Sequence, residues 1–213
     1  MGMYRSKIEL LNMDCLLYMK QCEDKQFDLA IVDPPYGIDA GNMQMGNNVK
    51  KKWTKKDWDK NTPNKEYFDE LKRISKNQIV WGGNYFELPP SKCWVIWDKN
   101  NGDSDFADGE MAWTSFNKPM RIRKQHWCGS ASNWEDTKGK IHPTQKPKAL
   151  YEWLLMNYAE SGNKIIDTHL GSGSIALACY DLKFDLVGIE IDSEYFQKAS
   201  KRLEAHKKQL TLF

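Results

Sequence analysis

Residues 164–191, KIIDTHLGSGSIALACYDLKFDLVGIEI, decide the fold. Lys164–Asp167 is a short apolar run that closes on an acid, and Gly171-Ser172-Gly173 follows it almost at once. Ser174–Lys183 reads as a helix, and Leu186–Ile191 is a second apolar run that carries Glu190 at its end. Strand, glycine turn, helix and strand in this order form the building block of a parallel sheet. The same pattern extends outward from it. Ser6–Asn12, Phe27–Val32, Gln78–Trp81, Cys93–Trp97, Glu110–Phe116 and Met120–Lys124 read as further strands. Met13–Cys22, Glu66–Lys76, a segment from Pro147 to about Glu160, and Ser193–Lys207 read as helices. The expected architecture is therefore α/β, with a mostly parallel sheet covered by helices on both faces.

The glycine turn also carries chemistry. Glycines between a strand and a helix let the backbone approach a ligand and turn tightly. Glu190, closing the next strand, can accept hydrogen bonds from both hydroxyls of a ribose. A diphosphate dinucleotide would ask for a fuller GxGxxG, but Ala176 holds the third glycine position, and no Gly-Lys-Ser/Thr phosphate loop is present. What remains is a nucleoside cofactor without a pyrophosphate, and S-adenosylmethionine fits that description.

A chain of 213 residues, 40% of them hydrophobic, suits one α/β domain with a sizeable core. Mean hydropathy is −0.71. No apolar run approaches the roughly 18 residues of a membrane span, and Met1–Leu10 is too short and charged for a signal peptide. Five cysteines, an odd number without CxxC spacing, argue against a disulfide framework or a zinc site, so a reducing compartment and no metal are expected.

The net charge of +2 conceals an asymmetry. Residues 50–60 hold six Lys against two Asp, and residues 117–148 hold eight Lys or Arg against two acids. The rest of the chain is acidic, which implies one side that faces a polyanion. Trp53, Trp58 and Trp127 lie in or beside these basic stretches, and aromatic faces stack on bases. From Gly37 to Pro63 nothing is periodic. That composition predicts a mobile basic flap at about 41–63, whose Lys50, Lys51, Lys52, Lys55 and Lys56 would meet phosphates.

Asp33-Pro34-Pro35-Tyr36 closes a buried strand, at the edge where open α/β sheets bind their ligands. The two prolines hold Asp33 and Pro34 extended. The Asp33 carboxylate and the Pro34 carbonyl are then two fixed acceptors, suited to the two N–H donors of an exocyclic amine. Tyr36 offers a ring on which a planar base can stack.

These residues resemble the amino-methylating DNA methyltransferases of the permuted, beta-type order, in which the catalytic motif precedes the cofactor motif. The matching pieces are Asp33–Tyr36, Trp81-Gly82-Gly83-Asn84-Tyr85-Phe86, Trp97-Asp98-Lys99, His142-Pro143-Thr144-Gln145-Lys146-Pro147, and Asp167–Gly173 with Glu190. They span nearly the whole chain. The resemblance implies a Rossmann-like, seven-stranded sheet with one antiparallel strand, and a single methyltransferase domain over 1–213. It implies that Asp33, Pro34, Pro35 and Tyr36 are catalytic. Asp167, His169, Gly171, Ser172, Gly173 and Glu190 would hold the cofactor. Asp14 would lie near its adenine or cap a helix, and Thr144 and Lys146 would contact its carboxylate at a helix entry. Thr168 and His169 depart from the Pro and Phe usual in the family.

The activity so implied is methyl transfer to the N6 amine of adenine in double-stranded DNA, in a bacterial or phage-infected cytoplasm. Cytosine N4 is the nearest alternative, although such relatives more often carry Ser in place of Asp33. A protein-glutamine methyltransferase would more often carry Asn there. A catalytically silent cofactor- or DNA-binding relative is the other alternative. Sequence preference would reside in a small insertion at about 100–140, where Arg121, Arg123, Lys124 and Gln125 can reach phosphates or bases. So short a recognition segment implies a short site or a homodimer.

Overall fold

The computed structural model describes residues 6–40, 56–102, 107–127 and 140–210. Eight strands form one sheet: β1 (Ile8–Leu11), β2 (Phe27–Val32), β3 (Ser75–Trp81), β4 (Trp94–Asp98), β5 (Gly109–Thr114), β6 (Arg121–Lys124), β7 (Lys164–Asp167) and β8 (Asp185–Ile189). Their order is β1-β8-β7-β2-β3-β5-β4-β6. β5 runs antiparallel to both of its neighbours, and every other pairing is parallel. The single reversed strand matches expectation. The seven-stranded count is corrected to eight, because β6 adds itself outside β4 with Val95 opposite Arg121.

The first and last of these strands meet in the sheet. β1 lies beside β8, with Ile8 opposite Leu186, so the N-terminal strand extends the strand–helix–strand unit at the C-terminus. β2 joins the other side of the same unit, pairing with β7 through Leu29–Ile165 and Ala30–Ile166. β2 is apolar almost throughout because both of its faces are covered. Leu29 and Ile31 point to one core, and Ala30 and Val32 to the other, as the two-residue pleat requires. Helices α3 (Lys148–Tyr158), α4 (Ser174–Leu182) and α5 (Ser193–Leu210) pack on the first face through Leu150, Leu154, Ile175, Ala178, Ala199 and Leu203. Helices α1 (Cys15–Met19) and α2 (Lys65–Ile74) cover the second through Met19, Phe68, Leu71 and Ile74.

Local signals set the helix ends. The Asn64 side chain accepts from the Tyr67 N–H at 3.1 Å and starts α2. α2 ends at Ile74 and β3 begins at Ser75, without an intervening loop. α4 is entered from Gly173 at φ +71°, a conformation that glycine adopts without steric penalty. Among the described residues, no helix is long and apolar enough to cross a membrane.

The topology gathers chemistry at one edge. β2, β3, β4, β7 and β8 all end there, followed by Asp33, Gly82, Lys99, Thr168 and Glu190. Because β5 is reversed, its first residues, Gly109 and Glu110, arrive at the same edge.

Candidate active site

The Asp33 carboxylate sits at the centre of a charge network. Its Oδ2 pairs with Lys146 Nζ at 2.7 Å, and its Oδ1 accepts from the Tyr36 hydroxyl at 2.6 Å. Lys146 also pairs with Glu110 Oε2 at 2.9 Å, and Lys99 holds the other oxygen of Glu110 at 2.7 Å. Lys146 is only 3% exposed at its side chain, and its ammonium lies 5.2 Å from the centre of the Trp81 ring. Burial pushes the Asp33 carboxyl up, and Glu110 adds to that while Lys146 opposes it. Glu110 is half-buried, but two ammonium neighbours outweigh its desolvation and bring it down to about 2. Burial acts against the charge on Lys146, yet the flanking Asp33 and Glu110 raise its pKa above the ordinary lysine value. Two carboxylates therefore alternate with two ammonium groups from four separate elements.

The expected partner of Lys146 was the carboxylate of the cofactor. Its side chain turns into the Asp33 pocket, where two carboxylates compensate its buried charge. Thr144 stays near the helix entry, with its hydroxyl 3.1 Å from His142 Nδ1.

Tyr36 is held by residues before and after it. Its ring stacks on Tyr85 with centroids 5.0 Å apart and planes 11° off parallel. Gly82, at φ +67°, lies under that ring. A Cβ there would come within 2.2 Å of Tyr36 Cε1, so only glycine admits the tyrosine. Asp59, buried at 2% exposure, accepts from the backbone N–H groups of Tyr36, Gly37 and Ala40 and so fixes the turn. Sequence reasoning missed Glu110 and Asp59. An acid opening a strand and an acid inside a lysine-rich run both read as solvated charges, and neither carried a motif.

The cofactor-side residues lie on the adjoining strands. Asp167 is buried and accepts the His169 N–H at 3.0 Å; burial pushes its carboxyl up to about 8. Glu190 accepts the Gly171 N–H at 2.8 Å and the Asp192 N–H at 2.9 Å, one on each oxygen. Each oxygen keeps a second lone pair, so two hydroxyls can still be accepted. A buried carboxyl held up to about 8 is one that an incoming amine cation would ionise. Both features fit an amino acid joined to a nucleoside. Ser172 Oγ lies 3.0 Å from Ser174 Oγ at the entry to α4. His169 Nδ1 is 3.0 Å from the Thr168 hydroxyl, which is in turn 2.6 Å from that of Tyr67. Burial pulls the His169 imidazole down to about 4, so its ring is neutral at physiological pH. Asp14 caps α1, accepting the Leu17 N–H at 3.0 Å.

Of the residues assigned to phosphates, Lys50, Lys51, Lys52 and Lys55 lie outside the described residues. Lys56 is committed elsewhere. It pairs with Asp192 at 2.7 Å and Glu194 at 2.8 Å, and lies 4.2 Å from the centre of the Tyr195 ring. Trp58, in the described part of the expected flap, packs on His142, whose ring also meets Tyr195. Arg121 and Lys124 are exposed on β6, and Arg123 is half-buried.

With this geometry established, comparison with known proteins identifies the family. A family model described as DNA methylase, covering N6 and N4 enzymes, matches residues 90–201. The chain belongs to this family. Among its relatives is the type II methyltransferase M.HpaI of Haemophilus parainfluenzae, 27% identical over 88% of this chain and 71% of its own length. The fold is also that of the M1.HpyAVI–SAM complex, with a TM-score of 0.59 and 21% identity over 92% of this chain and all of the other. The cytosine-N4-specific PvuII DNA methyltransferase superposes with a TM-score of 0.60 and 14% identity, over 96% of this chain and 91% of its own. In this chain Lys99 of Trp97-Asp98-Lys99 and Lys146 of His142–Pro147 bracket Glu110.

Proposed function

We propose that the protein transfers a methyl group from S-adenosylmethionine to the N6 amine of adenine in double-stranded DNA. One observation carries the reading: Asp33-Pro34-Pro35-Tyr36 and the Asp167–Gly173 turn follow neighbouring strands, β2 and β7, at the same edge of the sheet. An amine acceptor and a nucleoside holder therefore stand side by side. When bound, the cofactor supplies an electrophilic methyl group on sulfur.

The chain's own residues do the rest. Asp167 holds the amine of the methionine end, and Glu190 holds the ribose. A target base must leave the helical stack to reach Asp33. Tyr36 and Tyr85 offer aromatic faces beside it. The Asp33 carboxylate and the Pro34 carbonyl accept the two N–H bonds of the amine, which draws the nitrogen lone pair out of conjugation with the ring and aims it at the methyl group. Alignment and fixed charge provide the rate enhancement. The surplus proton leaves after transfer, when the methylated nitrogen is strongly acidic.

Aspartate at position 33 supports adenine. Cytosine N4 is the second reading, because the fold is shared with a cytosine-N4-specific enzyme. Mass spectrometry of nucleosides from treated DNA separates the two, since N6-methyladenine is expected and N4-methylcytosine would overturn the adenine assignment. Asp33→Ala should abolish transfer while cofactor affinity stays within a few fold. Transfer at the wild-type rate would remove Asp33 from the mechanism.

A further inference from the structure

We propose that Lys146 and Glu110 form a positioning pair that sets the charge and orientation of Asp33, and that Lys146 does not serve the cofactor. The proposal rests on the function argued above, because Asp33 is taken as the acceptor of the target amine. Its geometry stands independently of that function.

Lys146 is the residue in front of Pro147, so its backbone is fixed at the entry to α3. Its ammonium is buried and contacts Asp33 at 2.7 Å, Glu110 at 2.9 Å and the Tyr36 hydroxyl at 3.4 Å. A buried ammonium between two carboxylates acts as a fixed point from which both are held. It takes Oδ2 of Asp33, while Tyr36 donates to Oδ1. The carboxylate plane is set by these two donors, and a target N–H must approach along the lone pairs left over. Glu110 keeps Lys146 from collapsing onto Asp33 alone, and Lys99 neutralises the far oxygen of Glu110.

The charged and titratable groups around Asp33 come from every neighbouring element: Tyr36 on its own turn, Lys146 before α3, Glu110 on β5 with Lys99 behind it, Asp167 on β7 and Tyr67 on α2. Removing the cation must therefore favour protonated Asp33, and removing the neighbouring carboxylate must favour ionised Asp33. A purely structural role predicts no such pair of opposite signs.

The test measures the pH dependence of kcat for methyl transfer, the pH titration of the Asp33 side-chain carbon by NMR in the cofactor-free protein, and cofactor affinity by calorimetry. In Lys146→Met the Asp33 titration and the acid limb of kcat should move up by about one pH unit or more. Its kcat at neutral pH should fall about 100-fold, as for a misplaced reacting group. Cofactor affinity should stay within a few fold. In Glu110→Gln both titrations should move down. If Lys146→Met does not fold, the downward shift in Glu110→Gln decides the sign alone. Unmoved titrations, or a tenfold loss of cofactor affinity in Lys146→Met with the Asp33 titration unchanged, would overturn the proposal. A wild-type protein that methylates no DNA would overturn the proposed function instead, and the NMR titration would still decide the role of Lys146 and Glu110.

Discussion

Asp167 illustrates how much of the cofactor half depends on one carboxyl group. Burial holds it up to about 8, against 3.8 for an ordinary aspartate, with the His169 N–H pulling the other way. The folded protein thus keeps a proton that the unfolded chain releases on passing its own pKa. Stability contributed by this group is present at low pH and is lost as pH rises through that window toward 8. Asp167→Asn keeps the shape and removes the titration. Urea unfolding of the cofactor-free protein should show a smaller loss of stability between pH 5 and pH 8 in the variant than in the wild type. The same proton should appear in binding. If an amine cation of the cofactor ionises Asp167, calorimetry at pH 7 in buffers of different ionisation heat should detect proton release in the wild type and none in Asp167→Asn. Equal release in both would assign the proton to another group.

At the scale of elements, the turn after β2 is stiffened twice. Pro34 and Pro35 restrict it from within, and Asp59 ties down the backbone of Tyr36, Gly37 and Ala40 from 19 to 23 residues later. Replacing Asp59 with Ala leaves three partly buried N–H groups without that acceptor. Each such loss costs about 1–3 kcal/mol, reduced wherever water can enter. We expect Asp59→Ala to lower stability by about 2 kcal/mol and to cut methyl transfer more than tenfold, since Tyr36 loses its anchor. Cofactor affinity should be retained, because Asp167 and Glu190 lie on other strands. Urea unfolding and single-turnover methylation check the two halves of this expectation, and Asp59→Asn should recover part of both. Transfer at the wild-type rate in a destabilised Asp59→Ala would show that the turn needs no outside support.

At the scale of the whole molecule, some of the described basic residues pair with acids of the fold and others line an edge strand of the sheet. Lys56, Lys99 and Lys146 each pair with acids of the same fold. Arg121, Arg123 and Lys124 sit instead on β6, the outermost strand, whose end lies at the same edge as Asp33. If these three meet the DNA backbone, the salt dependence of DNA binding must report it. Each phosphate contact contributes about 0.9 to the slope of log affinity against log salt. Replacing all three with Gln should flatten that slope by about two to three units and leave cofactor binding unchanged. Fluorescence titration of a duplex at several salt concentrations measures it. A change smaller than one contact's worth would place the DNA away from β6.

Much of this protein is legible in local sequence. Apolar runs alternating with amphipathic ones mark the strands and helices, because the pleat and the helix impose different periods on buried side chains. Glycine at 171 and 173, the two prolines after Asp33, and the acids that close β7 and β8 announce the two halves of the site, since backbone freedom and strand ends are written in neighbouring residues. The eighth strand was also present as a segment, Met120–Lys124, although the family resemblance implied seven. Only the tertiary structure brought Lys146 to both Asp33 and Glu110, and Asp59 to the backbone of Tyr36. Those contacts join residues 23 to 113 positions apart, and they depend on a reversed strand that carries Glu110 to the edge where the other strands end. No local pattern encodes which buried charge will meet which, because that is decided when the sheet order brings separate strand ends together in a low-dielectric pocket.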